Sequence, residues 1–146
     1  NHDTIKIAYQ AWVEIITRKT GLTFDEQHDV IVDVYNSWYD LFKNLRELAR
    51  EIPAQRLRES KDTRELVRIM VTVLNRGLRP HLTKWQARFR RWYEQAVDDP
   101  ANKDKTPQEI QREYPQYQDL VANLKECNSE FVEYAYWLRA IAEGGD

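Results

Sequence analysis

The sequence predicts an all-α fold, an antiparallel bundle of four main helices with one short extra helix. Three observations lead there. Apolar residues recur at steps of three and four along most of the chain, the mark of helices with one buried face. Gly and Pro are scarce, four and five of 146 residues, so few positions interrupt a helix. No stretch reads as a strand.

The first helix is expected over about 4–19, where Ile5, Ala8, Tyr9, Trp12, Ile15 and Ile16 share a face. Gly21 supplies a left-handed stop. The second runs over about 23–52. Thr23 and Glu26 have the spacing of a capping box, and Pro53 ends the helix. The third covers about 62–97, opening near Asp62 and Glu65. Its seam of Val67, Met70, Leu74, Leu78, Leu82, Trp85, Phe89 and Trp92 crosses Gly77 and Pro80 in phase. One long helix kinked near Pro80 therefore fits better than two. Thr106, Pro107 and Glu109 form a second capping signature, and a short helix should follow over about 107–114. The last helix is expected over about 115–143, lined by Tyr117, Leu120, Leu124, Cys127, Phe131, Tyr134, Leu138 and Ile141, and stopped by Gly144 and Gly145.

The whole chain, 1–146, reads as a single helical-bundle domain. Hydrophobic residues make up 42% and charged residues 32%, which suits a globular chain and not a disordered one. One cysteine, Cys127, leaves no internal disulfide and no cysteine-based metal site. On the apolar face of its helix it reads as a small buried hydrophobe. The net charge of −2 gives no global field to attract nucleic acid. The apolar runs are too short for a transmembrane span. The chain begins in helical pattern without an initiator Met, so it is expected to be a segment of a longer protein. That protein is expected to be cytoplasmic, with this segment as the soluble part if it is membrane-anchored.

Catalytic signatures are thin, and no cofactor is expected. His28-Asp29, like His2-Asp3, resembles the doublet of the HD phosphohydrolases, which implies a metal-dependent hydrolase. The likeness is a dipeptide only, on the polar side of its helix. Asp25, Glu26, Asp29, Asp33, Glu47 and Glu51 resemble the paired acidic motifs of helical NTP pyrophosphatases, which hold magnesium. On a helical wheel all six point away from the core and read as a solvated face. A di-iron bundle needs two Glu-x-x-His pairs, and neither His28 nor His81 completes one.

The richest stretch is 76–94, RGLRPHLTKWQARFRRWYE. At 100° per residue, Leu78, Leu82, Trp85, Phe89 and Trp92 fall in an arc of about 160–240° from Arg76. Arg76, Arg79, Lys84, Arg88, Arg90 and Arg91 occupy the remaining arc. The written alternation of bases and aromatics is thus two faces, one inward and one outward. Single-strand binders need aromatics beside their cations, so the separation favours a protein partner. The leading expectation is a non-catalytic interaction or regulatory module that docks through this basic face. Nucleic-acid or anionic-membrane binding by the same residues is the alternative. A structural use for the charge is also expected. The acids at 25–40 should lie beside these cations in an antiparallel pair. Two further contacts are candidates: Met70 and Val71 for self-association, and Tyr136 with Trp137 as an exposed aromatic pair.

Overall fold

A computed structural model describes residues 2–144. Its helices are α1 (His2–Ile16), α2 (Ile31–Arg50), α3 (Arg56–Glu59), α4 (Lys61–Thr72), α5 (Arg79–His81), α6 (Ala87–Asp98), α7 (Pro107–Gln111) and α8 (Tyr117–Ala142). No strand occurs among the described residues. Two π-helical segments, Val73–Leu78 and Leu82–Gln86, join α4 to α5 and α5 to α6. Residues 61–98 therefore form one unbroken helical rod. The all-α bundle is the fold that the periodicity predicted.

Neighbouring helices run in opposite directions, as their contacts record. Between α1 and α8, Asn128 bonds the Thr20 carbonyl while Arg139 lies over Trp12. Between α1 and α2, Arg18 meets Asp40 and Glu14 meets Asn44. Between α2 and the rod, Tyr35 meets Phe89 and Arg79 lies over Phe42. Arg68 and Trp137, then His81 and Asn123, align the rod with α8. The apolar stretch 67–74 is central, because α4 touches α1, α2 and α8. Trp38, Met70, Phe89 and Phe131 are among the fully buried side chains of the core.

Several boundaries differ from expectation. The helix expected over 23–52 starts at Ile31. The Thr23–Glu26 capping box does not form, because Phe24 is drawn into the core and its N–H donates to Asn128 Oδ1 at 3.1 Å. Residues 25–29 close a turn instead, with the Asp25 N–H donating to Asp29 Oδ2 and the Gln27 N–H to Asp25 Oδ1. The N-terminus of α2 is served from α7, where Gln111 Oε1 accepts the Ile31 N–H at 2.9 Å. Helix α1 stops at Ile16, short of 19. Gly21 does not take a left-handed conformation; among the described glycines only Gly144 does, at φ 93° after α8. Gly21 is instead set by close approach. A Cβ there would stand 2.6 Å from the Ile15 carbonyl oxygen, which accepts the Gly21 N–H. The cap of α4 is Ser60, two residues before the expected Asp62, and Ser60 Oγ accepts the Thr63 N–H. The expected box at Thr106 and Glu109 forms in both directions, though α7 ends at Gln111 and not near 114. Gly145, the second half of the expected stop, lies outside the described residues.

Asn128 holds the α1–α2 connection in place. Besides accepting from Phe24, its amide donates to the Lys19 and Thr20 carbonyls at 2.9 and 3.0 Å. Asn128→Leu keeps the volume and strands these buried partners. It is expected to cost about 1–3 kcal/mol, read as a shifted midpoint in urea unfolding. A midpoint within error of the wild type would mean that the clamp adds nothing.

The rod departs from α geometry where the kink was expected, and it does so through widened turns. Pro80 has no N–H and its ring crowds the carbonyl four residues back. The Arg79 N–H reaches the Leu74 carbonyl, five residues back, which is the π pattern. Each widened turn holds more residues, so the buried face steps from Gly77 to His81 to Gln86. The expected seam residues Leu74, Leu78, Trp85 and Phe89 are buried on both sides of Pro80, and the seam slips at one position. His81 is buried in the core, whereas Leu82, expected in the seam, sits on the flank.

Candidate functional site

All six cations of the basic stretch are exposed, while Trp85 and Phe89 are buried and Trp92 is partly so. The six do not form one ridge. Arg79 leans toward α2, with its guanidinium 5.2 Å from the centre of the Phe42 ring. Arg90 lines a cleft with Val32, Asn36 and Tyr39 of α2. Arg76 faces the other side, where its charge acts on Tyr134 of α8. Lys84 sits 5.0 Å from the Trp85 ring centre. Arg88 and Arg91 project from α6.

Four of the five acids expected to neutralise these cations are used elsewhere; the fifth, Asp33, stays beside the rod, where its charge acts on Tyr93 of α6. Asp29 pairs with Lys19 at 3.1 Å, Glu26 with Lys125 at 2.8 Å, and Asp25 with His28 at 2.8 Å. Asp40 reaches Arg18 at 4.0 Å. The reason is the turn at 25–29, which faces the end of α1 and the flank of α8 and does not extend α2 along the rod. Among the described residues, no carboxylate within 4 Å joins any of the six cations.

Where α2 meets the rod, aromatics and cations lie side by side after all. Two cavities of about 480 and 360 Å³ lie between them, and a third of about 500 Å³ is walled by α2 alone; all three share Tyr39. Phe42 lines two of them, and the guanidinium groups of Arg46 and Arg79 both lie over its ring. Tyr39 is 47% exposed, and its hydroxyl donates to Gln86 Oε1 at 3.0 Å. The sequence reading missed this surface because the two halves come from different helices.

It also missed His81. The ring is 1% exposed and edges onto Trp38 at a centroid distance of 5.3 Å. Nδ1–H donates to Asn123 Oδ1 at 2.7 Å, and Nε2 accepts from the Tyr35 hydroxyl at 2.8 Å. Asn123 Oδ1 also accepts the Trp85 indole N–H. Burial pushes His81 down to about 4, with the Lys84 charge adding to the effect and the Asn123 bond opposing it. A histidine beside a proline inside an apolar seam was the available signal. This cluster binds α2, the rod and α8 together.

The other candidates separate. His28 is exposed and turned to Asp25, while Asp29 turns to Lys19, so the doublet does not converge on one point. Glu47 and Glu51 line a cleft between α1 and α2, apart from Asp25, Glu26 and Asp29. Among the described residues, no three His, Cys, Asp or Glu are grouped to hold a metal ion. Met70 is fully buried in the core, so it has no surface to offer a second copy, and Val71 alone of that pair is exposed, at 45%. Tyr136 is 71% exposed, whereas Trp137 packs partly against the core, beneath Arg68. The Cys127 thiol is pushed up to about 12, by burial first and by Glu130 and Glu126 after it. No described helix is long and apolar enough to cross a membrane. No protein family, no curated protein and no solved structure matches this chain.

Proposed function

We propose that the chain is a non-catalytic interaction module that docks an acidic protein partner through the exposed cations of the rod, Arg76, Arg79, Lys84, Arg88, Arg90 and Arg91, which stand on more than one of its sides. One observation carries this reading. Among the described residues these six cations are exposed without a carboxylate partner within 4 Å, although acids outnumber Lys and Arg by 24 to 22 in the chain. Elsewhere Arg18, Lys19, Arg56, Arg68, Lys105, Lys125 and Arg139 are each matched to an acid, while Lys43, Arg46 and Arg50 of the neighbouring α2 add to the unmatched charge among the described residues. Unmatched charge of one sign is a surface that an oppositely charged partner complements, with gains in on-rate and specificity.

The test is binding of poly-glutamate to the wild type and to the triple variant Arg88→Glu, Arg90→Glu, Arg91→Glu. The wild type should bind at low salt and release as salt rises. The variant should lose about tenfold or more in affinity, equal to 1.4 kcal/mol or more, with an unchanged helical spectrum. No binding by the wild type at low salt would remove the proposal. Tighter binding of a single-stranded oligonucleotide or of anionic vesicles would replace the partner with nucleic acid or membrane.

A further inference from the structure

We infer that the chain pairs with a second copy of itself through the outer face of α1 and the adjoining flank of α8. This goes beyond the proposed docking function and uses none of its six cations.

Helix α1 is apolar on two sides. Thr4, Ile7, Ala8, Ala11 and Ile15 are buried. At 100° per residue, Ile5, Tyr9, Trp12 and Ile16 fall in a separate arc of about 60°. Ile5, Tyr9 and Ile16 are 37, 55 and 38% exposed, and Trp12 is half-buried. The rings of Tyr9 and Trp12 stand 5.9 Å apart. Trp12 and Ile16 share the walls of a cavity of about 180 Å³ with Val132 and Tyr136 of α8, which are 56 and 71% exposed. These six side chains form one apolar face across two helices. Arg139 is the one charged residue in the walls of that cavity, and Glu143 pairs with it at 2.7 Å. A strongly charged partner finds little there to complement, and an anionic bilayer would need cations framing the apolar side.

Two properties of the face favour a second copy. The first is area. Tyr9 and Tyr136 leave on the order of 250 Å² in water, and Ile5, Ile16 and Val132 add roughly as much again. A stable interface buries about 800 Å² per partner, roughly 60% of it apolar. The face supplies that apolar share.

The second is symmetry. A two-fold contact needs a surface that is complementary to itself. The α1 stripe has spacings of four, three and four, with an isoleucine at each end and an aromatic ring at each inner position. Reversed, it reads the same. Two α1 helices laid antiparallel about an axis between Gln10 and Ala11 set Ile5 of one copy against Ile16 of the other. Tyr9 then meets Trp12, and both pairs occur twice. The same rotation brings the two α8 flanks to one side, so Val132 and Tyr136 extend the apolar contact.

Sedimentation equilibrium of the 146-residue chain over a dilution series tests this. The mean mass should rise with concentration toward twice the monomer's. Tyr9→Lys with Tyr136→Lys should raise the dissociation constant about tenfold or more. Both side chains are exposed, so the helical spectrum should not change. Val71→Lys, at another exposed apolar position, should leave the constant within about twofold. Disulfide trapping reads the register. Ile5→Cys with Ile16→Cys should give a covalent dimer on oxidation, and either substitution alone should not. Within one copy the two positions lie about 16 Å apart along the helix, too far to bridge. Cys127 is buried and stays out of the exchange. A monomer at every concentration overturns the proposal, and so does a dimer that survives both lysines. A covalent dimer from Ile5→Cys alone overturns the antiparallel pairing on which it stands. A monomer that binds neutral vesicles, and loses them on Tyr9→Lys with Tyr136→Lys, replaces the second copy with a bilayer.

Discussion

Phe131→Ala is expected to lower the unfolding free energy by roughly 3–5 kcal/mol, and Gly77→Ala should reverse its sign in that background. Phe131 is fully buried, with its ring edge-on to Trp38 at 5.7 Å and to Tyr134 at 6.0 Å. Gly77 lies beneath it. A Cβ at 77 would stand 2.7 Å from Phe131 Cε1 and 3.1 Å from Cζ, with Tyr134 Cε2 at 3.3 Å. The ring is fully buried with Trp38 and Tyr134 packed against it, so it yields to an added methyl only at a cost in packing. In the wild type, Gly77→Ala should therefore cost about 1–3 kcal/mol through overpacking, despite a helix-propensity gain of about 1 kcal/mol. Once the ring is gone, the added methyl enters empty space and the propensity gain remains. The second substitution should then stabilise by up to about 1 kcal/mol. Guanidinium unfolding of the four proteins measures the coupling. Where Phe131→Ala is too unstable to read, Phe131→Leu serves as the milder background. Equal costs of Gly77→Ala in both backgrounds would show that the ring is not what excludes a side chain at 77.

That contact marks how far the sequence could be read. The face of α8 was legible, since Tyr117, Leu120, Leu124, Cys127, Phe131 and Leu138 recur at helical spacing and all are buried. So was the separation of Trp85 and Phe89 from the cations beside them. The start of α2 was not, because its cap is the amide of Gln111, 80 residues away. A local Thr-x-x-Glu pattern has no knowledge of Asn128, which takes the Phe24 N–H across 104 residues. The register around Pro80 was hidden for a different reason. A wheel of 100° per residue assumes α geometry, and the turns on both sides of α5 are π-turns. His81 entered the core at the position assigned to Leu82, and Leu82 moved to the wall of a cavity between the rod and α2. The candidate surface was half visible in the same way: its cations stand in one stretch, but Tyr39, Phe42 and Arg46 come from a helix on which nothing local singles them out.

Stability should fall between about pH 6.5 and pH 4, and His81 should account for a contribution of up to roughly 3 kcal/mol. The neutral ring is fully matched, with Nδ1–H on Asn123 and Nε2 receiving the Tyr35 proton. A second proton on Nε2 would face that hydroxyl hydrogen. Tyr35 cannot compensate by ionising, since burial raises its own pKa far above the usual phenol range. Trp38 and Trp85 close other sides of the ring, and Lys84 is the nearby charge that opposes protonation. The folded pKa is therefore about 4, against about 6.5 in the unfolded chain. Between those values the unfolded chain binds more protons, so stability rises with pH through the window. The contribution is complete above about pH 6.5 and is lost as pH falls toward 4. His81→Gln keeps a polar side chain there and removes the titration. Its denaturant midpoint should be lower than the wild type's at pH 7, and the gap should narrow or close as the pH approaches 4. All other groups are common to the two proteins, so the difference isolates position 81. Parallel stability curves would mean that His81 is protonated at no extra cost in the fold. An imidazole titration followed by NMR, with a midpoint near 6.5, would say the same of the ring directly.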